Sequence, residues 1–403
     1  MALKISSYFK TIAYDIDVNK IKNLKNNISY ISSIKNSELI KSKKKIIYSN
    51  SINSLLNCDI IIICLPTPLK KNKPDLSYLE KFSEKLLPKL TSNKLIILQS
   101  TSYPGTTREI IIDKLKNKFK LGEEIMIGYS PEREDPGNKR FNLQNTNKLV
   151  SGFSNVCFNL TNLFYKKIKI KTIKVKSIEE AEAAKLLENI YRSVNIALIN
   201  ELKFIFDKMN INIQNVINAA KTKPFGFKPF YPGPGTGGHC IPIDPLYLTW
   251  IANKVGMDSK FIKLASTVNL DVPKKIVSQC IEILKRKNLK KKKYKFLLIG
   301  AAYKKNVNDC RESPIFKFIN FIKKKKYLAN YHDNYILKLP KTRQYKYNMS
   351  SIALSKANLQ NSDFVILLTD HDYLNFKFIE KNSKLLFDCR GRYSHLKFKE
   401  NIF

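Results

Sequence analysis

The chain is short of acids, of arginine and of clustered cysteine, and it contains no long apolar run. Only 33 acids face 72 basic residues, a formal net charge of +39. That excess first suggests a nucleic-acid binder. Yet only 9 of the basic residues are Arg, the side chain that reads phosphates and base edges in a bidentate way. The lysines are dispersed among many Asn and Ile, so we read them as solvated faces and a compositional bias, and we expect no nucleic-acid partner. The seven cysteines are odd in number and show no CxxC spacing, which argues for reduced thiols and against a disulfide framework or a metal cluster. The longest apolar run, Ile60–Leu65, falls far short of the roughly 18 residues of a membrane span. The opening MALKISSYFKTIAYDID meets Asp15 and Asp17 and lacks an apolar signal core, so the expectation is a cytoplasmic protein with no membrane partner.

What is present is material for burial. Hydrophobic residues make up 43% of 403, enough for two or three cores. Short apolar strands alternate with helical stretches in the first third: KTIAYDID (10–17), CDIIIICLP (58–66), KLIILQS (94–100) and EIMIGYSP (124–131), with a helical stripe over 75–90. A helix without Gly or Pro follows over 179–210, opened by a capping signal at Ser177 and Glu180. Further helical segments are expected at Ile213–Ala220 and Lys260–Leu270, then a basic linker, then a second alternation with strands at 294–300, 328–333, 361–372 and 384–391. The fold class is therefore α/β: two Rossmann-like doubly wound domains joined by a long central helix. The expected division is 1–176, 177–275 and 276–403.

Chemistry is densest in YPGPGTGGHCIPIDP (231–245), with four Gly, four Pro and one Cys in fifteen residues. Gly allows close approach of the backbone to a ligand and Pro stiffens the loop. Cys240 within it is a candidate nucleophile, and Asp244 could orient water or take a proton. A buried, inert Cys in a tight connection is the alternative. His239 is read as structural. On the long helix Lys185 and Asn189 stand four residues apart, on one face, and could stabilise an oxyanion. The alternative is a solvated Lys and a packing Asn. The strand end YSPEREDPGN puts Glu132, Arg133, Glu134 and Asp135 at a sheet edge where ligands of open α/β sheets bind. Thr67 and Thr101 follow strands to the same edge, and Asp15 ends the first visible strand.

These motifs, taken in order with GAAYKKNVNDCRESP and DCRGR, resemble the nucleotide-sugar 6-dehydrogenases, the UDP-glucose dehydrogenase superfamily, over essentially the whole chain. The PFGF, PFYPGPG and GGHCIPIDP versions are most similar to the UDP-N-acetylglucosamine branch, which feeds surface polysaccharide. UDP-glucose, UDP-N-acetylgalactosamine and UDP-N-acetylmannosamine are alternative substrates, and a UDP-sugar binder without redox activity is an alternative function. The resemblance implies NAD as cofactor, a UDP-sugar substrate, a homodimer or larger homo-oligomer, and no metal. It implies catalytic roles for Cys240, Lys185, Asn189, Asp244 and Glu132. It assigns cofactor contacts to Asp15, Lys20, Thr67, Thr101 and Arg311. It assigns substrate contacts to Tyr231, Gly233, Gly235, Gly237, Tyr303, Lys304 and Arg390. The family's opening strand and GxGxxG turn have no counterpart before AYDID. The expectation is that they are encoded upstream of the given start, the alternative being a decayed copy with impaired NAD binding.

Overall fold

The computed structural model describes residues 1–31, 34–71, 73–133, 145–238, 240–287, 291–342, 344–396 and 401–403. The chain divides into two compact units. The first comprises Met1–Glu188 and Leu246–Asp258, the second Asn189–Pro245 and Ser259–Phe403. A single helix, Ile178–Lys208, begins in one and ends in the other. Its start is capped as its sequence suggests, the Ser177 hydroxyl accepting the Glu180 N–H at 3.1 Å.

In the first unit, β1 (Thr11–Tyr14) pairs in parallel with β2 (Ile46–Ser49). Then come β3 (Ile60–Ile63), the small ribbon of β4 (Leu69–Lys70) and β5 (Lys73–Pro74), β6 (Lys94–Leu98), β7 (Ile125–Tyr129), β8 (Lys148–Gly152) and β9 (Thr172–Lys174). The larger sheet runs β3-β6-β7-β8-β9. It is parallel except where β8 opposes β7, a reversal that sequence periodicity did not reveal. Helix Ser77–Leu86 makes the crossover from β3 to β6, burying Leu79, Phe82 and Leu86. Ile96, Ile97 and Leu98 are fully buried, as expected of strands covered on both faces. Among the described residues β1 pairs only with β2, and β3 only with β6.

In the second unit, β10 (Lys295–Ile299), β11 (Leu328–His332), β12 (Phe364–Leu367) and β13 (Leu386–Asp388) form one parallel sheet, ordered β11-β10-β12-β13. Helices Ile315–Lys324, Lys356–Gln360 and Phe376–Asn382 connect successive strands. Phe296, Leu298, Phe364 and Ile366 join Phe316, Phe318 and Ile319 in its main core.

One helix differs from its sequence reading. The segment expected to end at Leu270 runs Lys260–Arg286, straight through Pro273. Proline normally breaks a helix interior by deleting one N–H and crowding the carbonyl four residues back. Here the apolar stripe Val272, Ile276, Val277, Cys280 and Leu284 buries into the second core, and that packing outweighs the lost hydrogen bond. Among the described residues no helix is long and apolar enough to cross a membrane.

Candidate active site

In the first unit the expected cofactor residues lie at the carboxyl ends of the strands. The Thr67 hydroxyl donates to the Thr101 carbonyl at 2.7 Å, tying the loop after β3 to the loop after β6. The Tyr247 hydroxyl donates to the Thr67 carbonyl at 2.7 Å from the other side. Just past β1, the Asp15 carboxylate accepts the Asp17 N–H at 2.9 Å and pairs with Lys20 at 3.3 Å. Both partners are partly exposed, so the pair itself contributes little to stability. A partly exposed carboxylate at a strand end is the group that bonds the ribose hydroxyls in a dinucleotide fold.

Glu132 extends beyond β7, and its carboxylate meets the Lys148 ammonium at 3.1 Å. Lys148 is almost wholly enclosed; it also donates to the Pro131 carbonyl at 3.1 Å and lies over the Tyr165 ring. Burial lowers the Lys148 pKa, while Glu132 acts to raise it. Arg133 binds Glu188 at 2.7 Å. Glu134 and Asp135 lie outside the described residues.

The long helix carries the remaining charges of this unit. Lys185 is 7% exposed, and its ammonium has no hydrogen-bonded acceptor among the described residues. One turn earlier, the buried Glu182 carboxylate accepts the Gly105 N–H at 2.6 Å, the Thr107 N–H at 2.9 Å and the Thr107 hydroxyl at 2.6 Å. Burial pushes the Glu182 pKa up to about 7 against these three donors.

In the second unit three expected catalytic residues come together. The Asn189 amide donates to the Asp244 carboxylate at 2.5 Å, both side chains being buried. Asp244 begins helix Asp244–Lys254, and its N–H donates to the Cys240 carbonyl at 2.8 Å. The Cys240 residue is exposed. Arg311 lies near enough that the thiol adds to a rise in the Arg311 pKa set first by its hydrogen bonds to Asp309. His239 lies outside the described residues.

The glycine loop before Cys240 is held from below. The Gly233 N–H donates to the Asn200 side chain at 2.9 Å, and Asn200 in turn donates to Asn269 at 3.4 Å. Gly235 lies against the Asn269 carbonyl, the group that Pro273 leaves without its helical donor. Gly238 has φ +83°, and a Cβ there would meet the Tyr303 ring at 2.9 Å. At Gly237 it would meet both Pro314 and Tyr303 at 2.9 Å. The Gly238 N–H completes the seat by donating to the Arg311 carbonyl at 3.1 Å. The expected substrate residues Gly237 and Tyr303 thus lie together, the expected cofactor residue Arg311 holds the loop at Gly238, and Arg390 stands beside Gly233. Burial lowers the Arg390 pKa, and its Nε donates to the Leu368 carbonyl at 2.6 Å. Tyr231 is exposed at the head of the loop, and Lys304 is half-buried next to Tyr303.

Sequence reasoning passed over Lys148, Glu182, Asn200 and Asn269. Each stands alone in an ordinary stretch, and only tertiary packing gives it a partner. Glu182 was the most accessible, being a carboxylate one turn before Lys185 on the same helix. Among the described residues no group of three His, Cys, Asp or Glu could hold a metal ion.

The chain thus combines an α/β fold with a glycine-rich loop and an exposed cysteine four residues before a buried carboxylate. The UDP-glucose/GDP-mannose dehydrogenase family matches it in three parts: the NAD binding domain over 2–169, the central domain over 179–271 and the UDP binding domain over 297–395. The chain belongs to that family of NAD-dependent nucleotide-sugar dehydrogenases. It is 33% identical to the UDP-N-acetyl-D-glucosamine 6-dehydrogenase of Pseudomonas aeruginosa over 79% of this chain and 76% of that one. It is 30% identical to the UDP-N-acetyl-D-mannosamine dehydrogenase of Methanococcus vannielii, covering 98% and 90%. The UDP-D-ManNAc dehydrogenase structure from Pyrococcus horikoshii superposes with a TM-score of 0.86 at 27% identity, covering 96% of this chain and 92% of that one.

Proposed function

We propose that this enzyme oxidises the C6 alcohol of UDP-N-acetylglucosamine to the carboxylate, with Cys240 as the covalent nucleophile. The reading is supported above all by an exposed thiol on a stiff loop, followed at once by a buried, oriented carboxylate. NAD, when bound, is the hydride acceptor in both two-electron steps, two NAD⁺ being consumed per sugar. Asp15, Lys20, Thr67 and Thr101 would hold it.

Cys240 adds through sulfur to the C6 aldehyde, giving a thiohemiacetal. Loss of a second hydride leaves a thioester, and water then displaces the thiol to yield the acid. Lys185 and Asn189 steady the oxygen that carries negative charge at each addition. Asp244, fixed by Asn189, and Glu132, fixed by Lys148, relay protons to and from that oxygen and the attacking water. The glycine loop, Tyr231, Tyr303, Lys304 and Arg390 would grip the UDP-sugar, and Arg311 would contact the cofactor. We further propose a homo-oligomer and a cytoplasmic setting.

UDP-N-acetylmannosamine is a second reading, favoured by the near-complete coverage of relatives bearing that name. NADH absorbance in the presence of each sugar nucleotide separates the two. The proposal expects about two NADH per molecule of UDP-N-acetylglucosamine, by the two-step redox balance, with a uronate as product. Turnover of the mannosamine substrate alone would replace the substrate, and no NADH with any UDP-sugar would overturn the reading.

A further inference from the structure

At the carboxyl edge of the second sheet, a buried acid–imidazole couple spans the turn that carries Tyr303 and Lys304. Asp333 follows β11 and His371 follows β12, and both side chains are wholly enclosed. One Asp333 oxygen accepts the Ala301 N–H at 2.6 Å, the Ala302 N–H at 3.0 Å and His371 Nε2 at 3.1 Å. The other accepts the Tyr335 N–H at 2.7 Å and the Ile336 N–H at 3.1 Å. Burial acts to raise the Asp333 pKa, but the bonds from His371, Ala302 and Ala301 prevail and bring it down to about 2.

The far side of the imidazole fixes its protonation. His371 Nδ1 lies 2.9 Å from the Asn306 N–H, which can only donate, so Nδ1 must be the acceptor. The ring proton is therefore on Nε2, directed at Asp333. A continuous series results: Asn306 N–H to His371, His371 to Asp333, and Asp333 to Ala301 and Ala302. It ties both ends of the 301–306 turn to one buried point. Asn306 holds a left-handed φ of +59° and exchanges side-chain and backbone bonds with Asp372. Thr369 donates to the Ala302 carbonyl at 2.6 Å, closing the start of the turn.

We propose that His371 and Asp333 are positioning residues for the UDP-sugar, setting the Tyr303–Lys304 turn in its binding conformation. This rests on the reading that the turn grips that substrate. A consequence concerns the phosphates. The Ala301 and Ala302 N–H groups, at the first turn of an open α/β sheet, stand where an anion would ordinarily be received. Here the protein's own carboxylate fills that place, so these two N–H groups are not the ones that receive the pyrophosphate.

The test compares wild type with His371→Phe, which keeps an aromatic ring and removes both hydrogen bonds, and with His371→Gln, which can still donate toward Asp333. Calorimetry with UDP and with UDP-N-acetylglucosamine is expected to show Kd raised about tenfold or more in His371→Phe. His371→Gln is expected to recover part of the loss. The KM for NAD and kcat at saturating sugar should stay within about twofold, since the couple acts on substrate binding alone. Equal UDP affinity in a folded His371→Phe would overturn the proposal, as would a parallel fall in every kinetic constant. Should wild type itself bind neither UDP nor UDP-sugar, the functional reading fails instead. Nitrogen-15 NMR of the histidines in the unmodified protein gives a second, independent check. The Nε2–H tautomer of His371 is expected, and an Nδ1–H ring would contradict the geometry.

Discussion

At Gly238 one hydrogen atom decides whether the loop before Cys240 can lie against Tyr303. The residue combines φ +83° with a ring 2.9 Å from where a Cβ would stand. Gly238→Ala should therefore cost on the order of 1–3 kcal/mol of strain and shift the loop. Its expected result is a UDP-sugar Kd raised about tenfold or more, measured by calorimetry. Unchanged affinity would show that the loop tolerates displacement. A second prediction concerns Glu182. Its pKa rises from 4.5 to about 7 on folding, so the folded chain holds a proton there that the unfolded chain has released. Stability from this group is full below about pH 4.5 and is lost as pH climbs through about 7, on the order of 3 kcal/mol in all. Glu182→Gln removes that slope. Urea denaturation between these two pH values should show wild type losing ground to the variant, and parallel curves would mean that the three donors keep the carboxylate ionised.

Among the secondary-structure elements, strands and helices with strong periodicity were legible, and the exceptions share a cause. The apolar runs at β3, β6 and β10 and the long helix are where the residues placed them, because burial on both faces or along a stripe leaves its mark in the sequence. The run through Pro273 was hidden because a local breaker was outweighed by packing on a distant sheet. Likewise the antiparallel β8 and the Lys148 it carries offered no local signal. In the candidate site, Cys240, Asp244 and Asn189 could be named from the sequence, but the hydrogen bond joining the last two spans 55 positions and belongs to the fold. Packing supplies the next prediction: Phe296→Ala, at a fully buried position of β10, should lower stability by about 3–5 kcal/mol in urea unfolding. A loss under about 1 kcal/mol would mean that the site collapses around the cavity.

For the molecule as a whole, the governing feature is charge. A net +39 is carried by a chain whose family uses two anions, a nucleotide sugar and NAD. Such a field draws anionic ligands in and is screened by salt over about 10 Å at 0.1 M. The kcat/KM for the UDP-sugar should fall as sodium chloride rises from about 0.05 to 0.5 M, with kcat little changed. A flat profile would show that the lysines are a solvated coat without influence on capture.

The dependence of acid formation on a single thiol is the heart of the account. Cys240→Ala, incubated with NAD and UDP-N-acetylglucosamine, is read by chromatography for the uronate and by calorimetry for UDP-sugar binding. The account predicts no uronate at a UDP-sugar Kd within about twofold of wild type. Uronate formed at the wild-type rate by that variant would contradict it.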